Sequence, residues 1–140
     1  MALASVSVDW LAIVVASVAS FIFGWIWYGP LFGKIWLKGS GMSGKEAKKM
    51  HKQGMAGKMI WSFVGTLVMS YVLSNVIVWA GVSGFNDVVM LGAWLGIGFF
   101  AATTLLGEVL WKGRPWKFFL LNSVYWILNL IIVGAVILAF

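Results

Sequence analysis

The segment from residue 116 to residue 140, which reads WKFFLLNSVYWILNLIIVGAVILAF, decides the fold class. Its one charged residue is Lys117, next to its first residue. A helix needs roughly 20 predominantly apolar residues to cross the hydrocarbon core of a bilayer. The segment is therefore predicted to be a membrane-spanning helix.

Three segments upstream have the same character, at about residues 8–28, 59–79 and 88–111. The chain has 140 residues, of which 62% are hydrophobic and 10% charged, whereas about 25% of the residues in soluble domains are charged. All links between the four segments except the first are short, which favours neighbouring helices of opposite direction. We expect an all-α, up-down antiparallel four-helix bundle in a membrane, as a single domain over residues 1–140.

The ten Lys and Arg residues fall in two stretches, residues 34–58 and residues 112–117. Basic loops are retained on the cytoplasmic side of a membrane. Both loops are therefore predicted to be cytoplasmic, and the N-terminus and the C-terminus extracytoplasmic. The same rule accounts for the net charge of +6 without nucleic-acid binding, so we expect no nucleic-acid partner.

The basic loop at residues 29–58 carries a helix signal. Ser43 and Glu46 have the spacing of a capping box, in which Ser begins a helix and Glu lies three residues on. A short helix at residues 44–53 would lie on the anionic lipids of the inner leaflet. The alternative is a solvated basic loop.

Small residues recur along the first three spans. Helices in lipid pack closely where small residues allow the backbones to approach, and we expect the first two spans to form a tight pair. The predicted packing residues are Ala12, Ala16, Ser20 and Gly24 in the first span, Ser62, Thr66, Ser70 and Ser74 in the second, and Gly92 and Gly96 in the third.

The strongest single candidate for chemistry is Glu108, near the end of the third span. An ionisable residue within a span indicates function by default, and Glu108 would bind a proton or a cation. The alternative is an ion pair with Lys112, four residues on. In the fourth span, Asn122, Trp126 and Asn129 share one helical face, either for hydrogen bonds between helices or as a polar lining for a ligand.

The stretch GWIWYGPLFGKIW at residues 24–36 is dense in aromatic residues. Trp and Tyr are enriched at the membrane–water interface, which explains them as an anchoring belt. They could instead form a cage that binds an organic cation through cation–π contacts. The candidate ligand-binding residues here are Trp25, Trp27, Tyr28 and Trp36.

This stretch, followed by a basic loop and three further spans, resembles the bacterial membrane family catalogued as domain of unknown function 1761. The shared pattern is clearest at residues Trp27, Tyr28, Pro30, Phe32, Gly33 and Trp36. The resemblance implies a small four-span protein of the bacterial inner membrane. It implies no activity.

The chain has few side chains of the kinds that usually catalyse reactions. The chain has no Cys and one His, and we expect no catalytic residue, no metal and no cofactor. The favoured hypothesis is a homo-oligomer that binds or transports a small hydrophobic or cationic solute. The alternatives are an accessory subunit that docks a partner and, third, a membrane-embedded lipid-modifying enzyme.

Overall fold

The computed structural model describes residues 3–140, except for the side chains of Ala47 and His51. This part of the chain contains helices and no strand. Four helices are long and apolar enough to cross a membrane, and they are here called spans 1 to 4: Trp10–Leu31, Ala56–Trp79, Phe85–Trp111 and Trp116–Ala139.

Two of the spans combine α-helical and π-helical segments. Span 1 consists of α1 (Trp10–Ile26) and a π-helical turn (Trp27–Leu31), and span 3 of α5 (Phe85–Leu95), a π-helical segment (Gly96–Ala101), α6 (Ala102–Thr104) and a second π-helical segment (Leu105–Trp111). The remaining helices are α2 (Gly33–Gly39), α3 (Gly44–Lys52), α4 (Ala56–Trp79) and α7 (Trp116–Ala139).

Span 1 begins at a side-chain cap and continues past a proline. Asp9 Oδ1 accepts hydrogen bonds from the backbone N–H groups of Leu11 and Ala12, at 3.0 and 3.3 Å. The sequence predicts that the first span ends at about residue 28, before Gly29-Pro30, but the helix continues to Leu31. The N–H of Phe32 donates to the carbonyl of Trp27 at 2.9 Å, and this wider turn passes Pro30, which has no N–H to donate.

The link between spans 1 and 2 contains two helices. In α3, the N–H of Glu46 donates to Ser43 Oγ at 3.1 Å, which is half of the capping box. The other helix, α2, has no counterpart in the sequence-based prediction. It lies against α7, because a Cβ added at Gly39 would be 3.0 Å from the Cβ of Phe118.

Span 4 is the central helix, since α7 contacts α1, α2, α4, α5 and both π-helical segments of span 3. The contacts between spans 1 and 4 run in opposite order along the two helices: Ser20 meets Asn129, and Tyr28 meets Asn122. α4 packs mainly on α1, and in one half of its length also on α7.

In that half the helices enclose an apolar core. We call it the closed half, defined by the buried residues Ala16, Leu73, Ile77, Leu130 and Val133. Ser17 Oγ donates there to Ser70 Oγ at 3.0 Å, and both side chains are fully buried.

Glycines bring spans 3 and 4 together. A Cβ added at Gly92 would lie 2.6 Å from Cγ1 of Ile131, and one added at Gly96 would overlap Ile127. On the other helix, a Cβ at Gly134 would be 2.9 Å from Val88. These glycines permit a backbone approach that any larger residue would prevent.

Candidate functional site

Next to the closed half, the bundle opens into a cavity between spans 1, 2 and 4. Its volume is about 740 Å³, within the range of small-molecule sites. A second cavity of about 380 Å³ shares five residues with the first and extends it toward Met69, Phe100 and Asn129. We call the two together the cleft, and the shared residues define the cleft half: Ser20, Ser62, Thr66, Tyr125 and Trp126.

An aromatic cluster centred on Tyr125 forms one wall of the cleft. The Tyr125 ring stacks on Phe23, with centroids 5.3 Å apart and an interplanar angle of 8°. Tyr28 and Trp27 pack on it at centroid distances of 4.8 and 6.2 Å. This cluster fixes the Tyr125 ring from several sides, so its hydroxyl has a defined position.

Trp126 forms the adjacent part of the wall. It lies edge-on to Tyr125 at 5.1 Å and stacks on Phe100 at 4.6 Å and 13°. Phe100 belongs to span 3, so this stack joins the wall of the cleft to the neighbouring span.

Most hydroxyl groups in the cleft already donate to a neighbour. Ser20 Oγ donates to Asn129 Oδ1 at 2.7 Å, and the Tyr28 hydroxyl donates to Asn122 Oδ1 at 2.5 Å. Thr66 Oγ1 donates to the carbonyl of Ser62 at 2.9 Å, within its own helix. These bonds hold the polar side chains in place within an otherwise apolar bundle.

The Tyr125 hydroxyl is different. The side chain is buried, with 8% of its surface exposed, yet within residues 3–140 its hydroxyl makes no hydrogen bond. It points toward Gly24, where an added Cβ would be 2.8 Å from the phenolic oxygen. Gly24 also lines the cleft, so an unused donor faces the cavity.

Sequence reasoning missed Tyr125, although a signal was present. Tyr125 lies three residues after Asn122 and four before Asn129, a spacing that places all three on one helical face. The aromatic character of Tyr125 made it resemble the many other apolar residues of the span, and only the packing shows its free hydroxyl.

The structure brings many of the predicted residues to the cleft. Of the predicted ligand-binding residues, those that line it are Trp25, Tyr28, Trp36, Trp126 and Asn129. Asn122 lies behind Tyr28 as its acceptor. Trp27 contributes to the aromatic cluster from behind Tyr125, and its buried Nε1 has no hydrogen-bond partner in the described part of the chain.

The small-residue stripes do not each keep to one interface. In span 1, Ser20 and Gly24 contact α7 rather than α4. In span 2, Ser70 and Ser74 are buried, whereas Ser62 and Thr66 line the cleft. The stripes thus continue from the closed half into the site.

Glu108 lies away from the cleft. Its Oε1 is 2.8 Å from Lys112 Nζ, and its Oε2 is 3.9 Å from Arg114 Nε. Within the described residues 3–140, Glu108 does not line either cavity of the cleft. This geometry favours the ion-pair interpretation of Glu108 over ligand binding.

The side chains offer no arrangement for a metal. Among the described residues, no group of three His, Cys, Asp or Glu side chains could hold a metal ion. The chemistry that the cleft provides is hydrogen bonding and aromatic contact.

The fold and the cleft define a helical-bundle protein with four helices that can cross a membrane. The chain belongs to the family described as protein of unknown function (DUF1761), whose family model matches residues 11–138. This match confirms the family resemblance seen in the sequence. No curated protein matches the chain, and no solved structure matches it.

Proposed function

We propose that the protein is a multi-pass protein of the bacterial inner membrane whose four spans alternate in direction, with both termini extracytoplasmic. The opposite order of contacts between spans 1 and 4 supports the alternation. The two basic stretches support the orientation. A reporter fused after Phe140 is expected to be active outside the cytoplasm; cytoplasmic activity would contradict the orientation.

The cleft is the basis of the second proposal: the protein binds a small hydrophobic solute that enters from the surrounding lipid. The observation that carries it is a cavity of about 740 Å³ between spans, lined mainly by aromatic and other apolar side chains. Within residues 3–140 no charged side chain lines the cleft. An uncharged solute therefore fits better than the cationic solute that the sequence also suggested.

Filling the cleft tests this proposal. Ser62→Phe places a ring in the cavity, whereas Val68→Phe places the same ring on the same helix where the side chain is 58% exposed. In native mass spectrometry from lipid nanodiscs, the wild type and Val68→Phe are expected to carry a non-lipid adduct that Ser62→Phe lacks. A bare wild-type protein, or an adduct retained by Ser62→Phe, would contradict the proposal.

Binding and transport differ in a measurable way. If the solute is also moved, proteoliposomes that contain the wild type will show flux of the identified adduct, and Ser62→Phe will abolish that flux. Binding without flux assigns the cleft to storage, sensing or presentation of the solute.

A second candidate function is that of an accessory subunit. Gly98 lies exposed on span 3, and a Cβ added there would meet nothing within 4 Å. Exposed glycines on a span allow another helix to approach closely, either from a partner or from a second copy. A membrane protein that co-purifies, and is lost on Gly98→Leu, would support this function; assembly into a homo-oligomer stays a prediction.

A further inference from the structure

Some hydroxyl groups of the cleft donate hydrogen bonds to protein acceptors, and others do not. Ser20, Tyr28 and Thr66 donate to protein acceptors. The Ser62 hydroxyl makes no hydrogen bond in the described part of the chain, but that residue is exposed. The hydroxyl of Tyr125 makes no hydrogen bond in the described part of the chain, although the side chain is more than nine-tenths buried. Tyr125 lines both parts of the cleft, and its oxygen is not among the fully buried side-chain atoms that lack a partner in the described part of the chain. A donor that borders an apolar cavity without a protein acceptor can bond to an acceptor that enters the cavity from outside the protein.

A second donor at the deep end of the cleft is also poorly satisfied. The side-chain oxygen of Asn129 accepts from Ser20, while its Nδ2 reaches the thioether sulfur of Met69 at 3.9 Å. A thioether is a weak acceptor. Asn129 is 1% exposed and lines the deep part of the cleft, so its amide N–H groups can serve an acceptor there.

The aromatic side chains that line the cleft set a second requirement for the ligand. Tyr125 stacks on Phe23 and Trp126 stacks on Phe100, both nearly parallel. Trp36 and Phe21 also line the larger cavity. Aromatic walls favour flat, unsaturated rings, which make offset-stacked or edge-to-face contacts with them.

From these observations we propose that the cleft binds an uncharged, flat ring compound that bears a carbonyl oxygen, as lipid-soluble quinones do. This inference rests on the proposed binding function and names its ligand class. The carbonyl oxygen accepts a hydrogen bond from the Tyr125 hydroxyl, and the ring lies among the aromatic side chains. An organic cation fits less well, because no charged side chain among the described residues lines the cleft to balance its charge, and burying an unpaired charge is costly.

Two probes of the same shape separate the carbonyl from the ring. 2,3-Dimethyl-1,4-naphthoquinone carries two carbonyl oxygens and no free position on the quinone ring for addition, and 2,3-dimethylnaphthalene lacks the oxygens. N-methylquinolinium supplies a cation of similar size. Binding is measured by equilibrium dialysis of the full-length protein in nanodiscs against empty nanodiscs, which corrects for partition into lipid.

The wild type is expected to bind the quinone more tightly than the hydrocarbon, and the cation most weakly. Tyr125→Phe removes the free hydroxyl and keeps the ring, and it should weaken quinone binding about fivefold without changing hydrocarbon binding. Unchanged hydrocarbon binding also shows that the variant retains its cleft. Tyr28→Phe is the matched control, because that hydroxyl already donates to Asn122, and its effect on quinone binding should be smaller.

The outcomes separate this inference from the proposed function. Equal affinity for quinone and hydrocarbon, tighter binding of the cation, or quinone binding unaffected by Tyr125→Phe would each overturn the ligand class. If any of these probes still binds in a manner that Ser62→Phe blocks, the binding function itself stands. Absence of binding for all three probes would overturn both.

Discussion

The closed half and the cleft half of the bundle differ in what fills the space between the same helices. In the closed half, α4 reaches α7 through Leu73 and Ile77, and small residues such as Ala16 allow the contact. In the cleft half, Ser62 and Thr66 of α4 line a cavity whose opposite wall is Tyr125 and Trp126. Rigid aromatic side chains that stack on one another cannot collapse to fill a gap. The same helices therefore enclose a packed core in the closed half and leave a cavity in the cleft half.

Polar residues serve the two halves differently as well. The Ser17–Ser70 bond lies within the core, where Ser17 Oγ is also 2.7 Å from the carbonyl of Ile13. Ser20 and Asn129 form a similar bond at the edge of the cleft, where Asn129 retains N–H groups that meet only a sulfur among the described residues. The difference shows that a polar side chain in a span stabilises the bundle where it is fully paired and can recognise a ligand where it is not.

The largest effect is expected from a change that separates spans 3 and 4. Gly96→Leu would force a side chain into Ile127, and such overpacking lowers the free energy of unfolding by about 3 kcal/mol. Gly98→Leu, two residues on, meets nothing within 4 Å and should be close to neutral. SDS titration followed by circular dichroism measures both; equal stability of the two variants would contradict the packing of α5 and its π-helical continuation on α7.

A smaller effect is expected at the boundary between the halves. Asn129→Ala removes the acceptor of the Ser20 hydroxyl, and hydrogen bonds between helices in lipid contribute about 0.6 kcal/mol on average. We expect a loss of about 1 kcal/mol, since the side chain is also buried. A double-mutant cycle with Ser20→Ala, measured by the same titration, should give a coupling energy of the same sign; purely additive effects would argue against the bond.

The smallest effect is expected at Glu108, outside both halves. Its partner Lys112 is 59% exposed, and ion pairs at such sites contribute up to about 1 kcal/mol. Glu108→Gln should therefore change stability by about 0.5 kcal/mol or less and leave binding in the cleft unchanged. Loss of solute binding or flux in this variant would restore Glu108 as a functional residue.

The sequence predicts the spans well because their signal is local. A long apolar run limits where a helix can begin and end, and the predicted segment 59–79 corresponds to Ala56–Trp79 in the structure. The helix α2 is not predicted from the sequence, because Gly33–Gly39 is short and is stabilised by a tertiary contact. Gly39 packs on Phe118 of α7. A contact between residues so distant in sequence cannot be read from the local sequence of either one.

The site was predictable only in part, for a related reason. The spacing of Asn129 and Trp126 indicates a common face, and both line the cleft. A stripe of small residues does not specify which neighbour it meets when a helix has two, so Ser20 was assigned to span 2 although it bonds to span 4. Whether the Tyr125 hydroxyl has a hydrogen-bond partner depends on all of the side chains packed around it. Residue spacing alone does not predict that it is free.

The difference between the two halves can be measured directly, because the chain has no Cys. Ser62→Cys and Ser70→Cys place the same small thiol on one helix, in the cleft and in the core respectively. In nanodiscs, N-ethylmaleimide is expected to label Ser62→Cys in the folded protein and Ser70→Cys only after unfolding in SDS. Equal labelling of the two thiols in the folded protein would contradict the division of the bundle into a closed core and an open cleft.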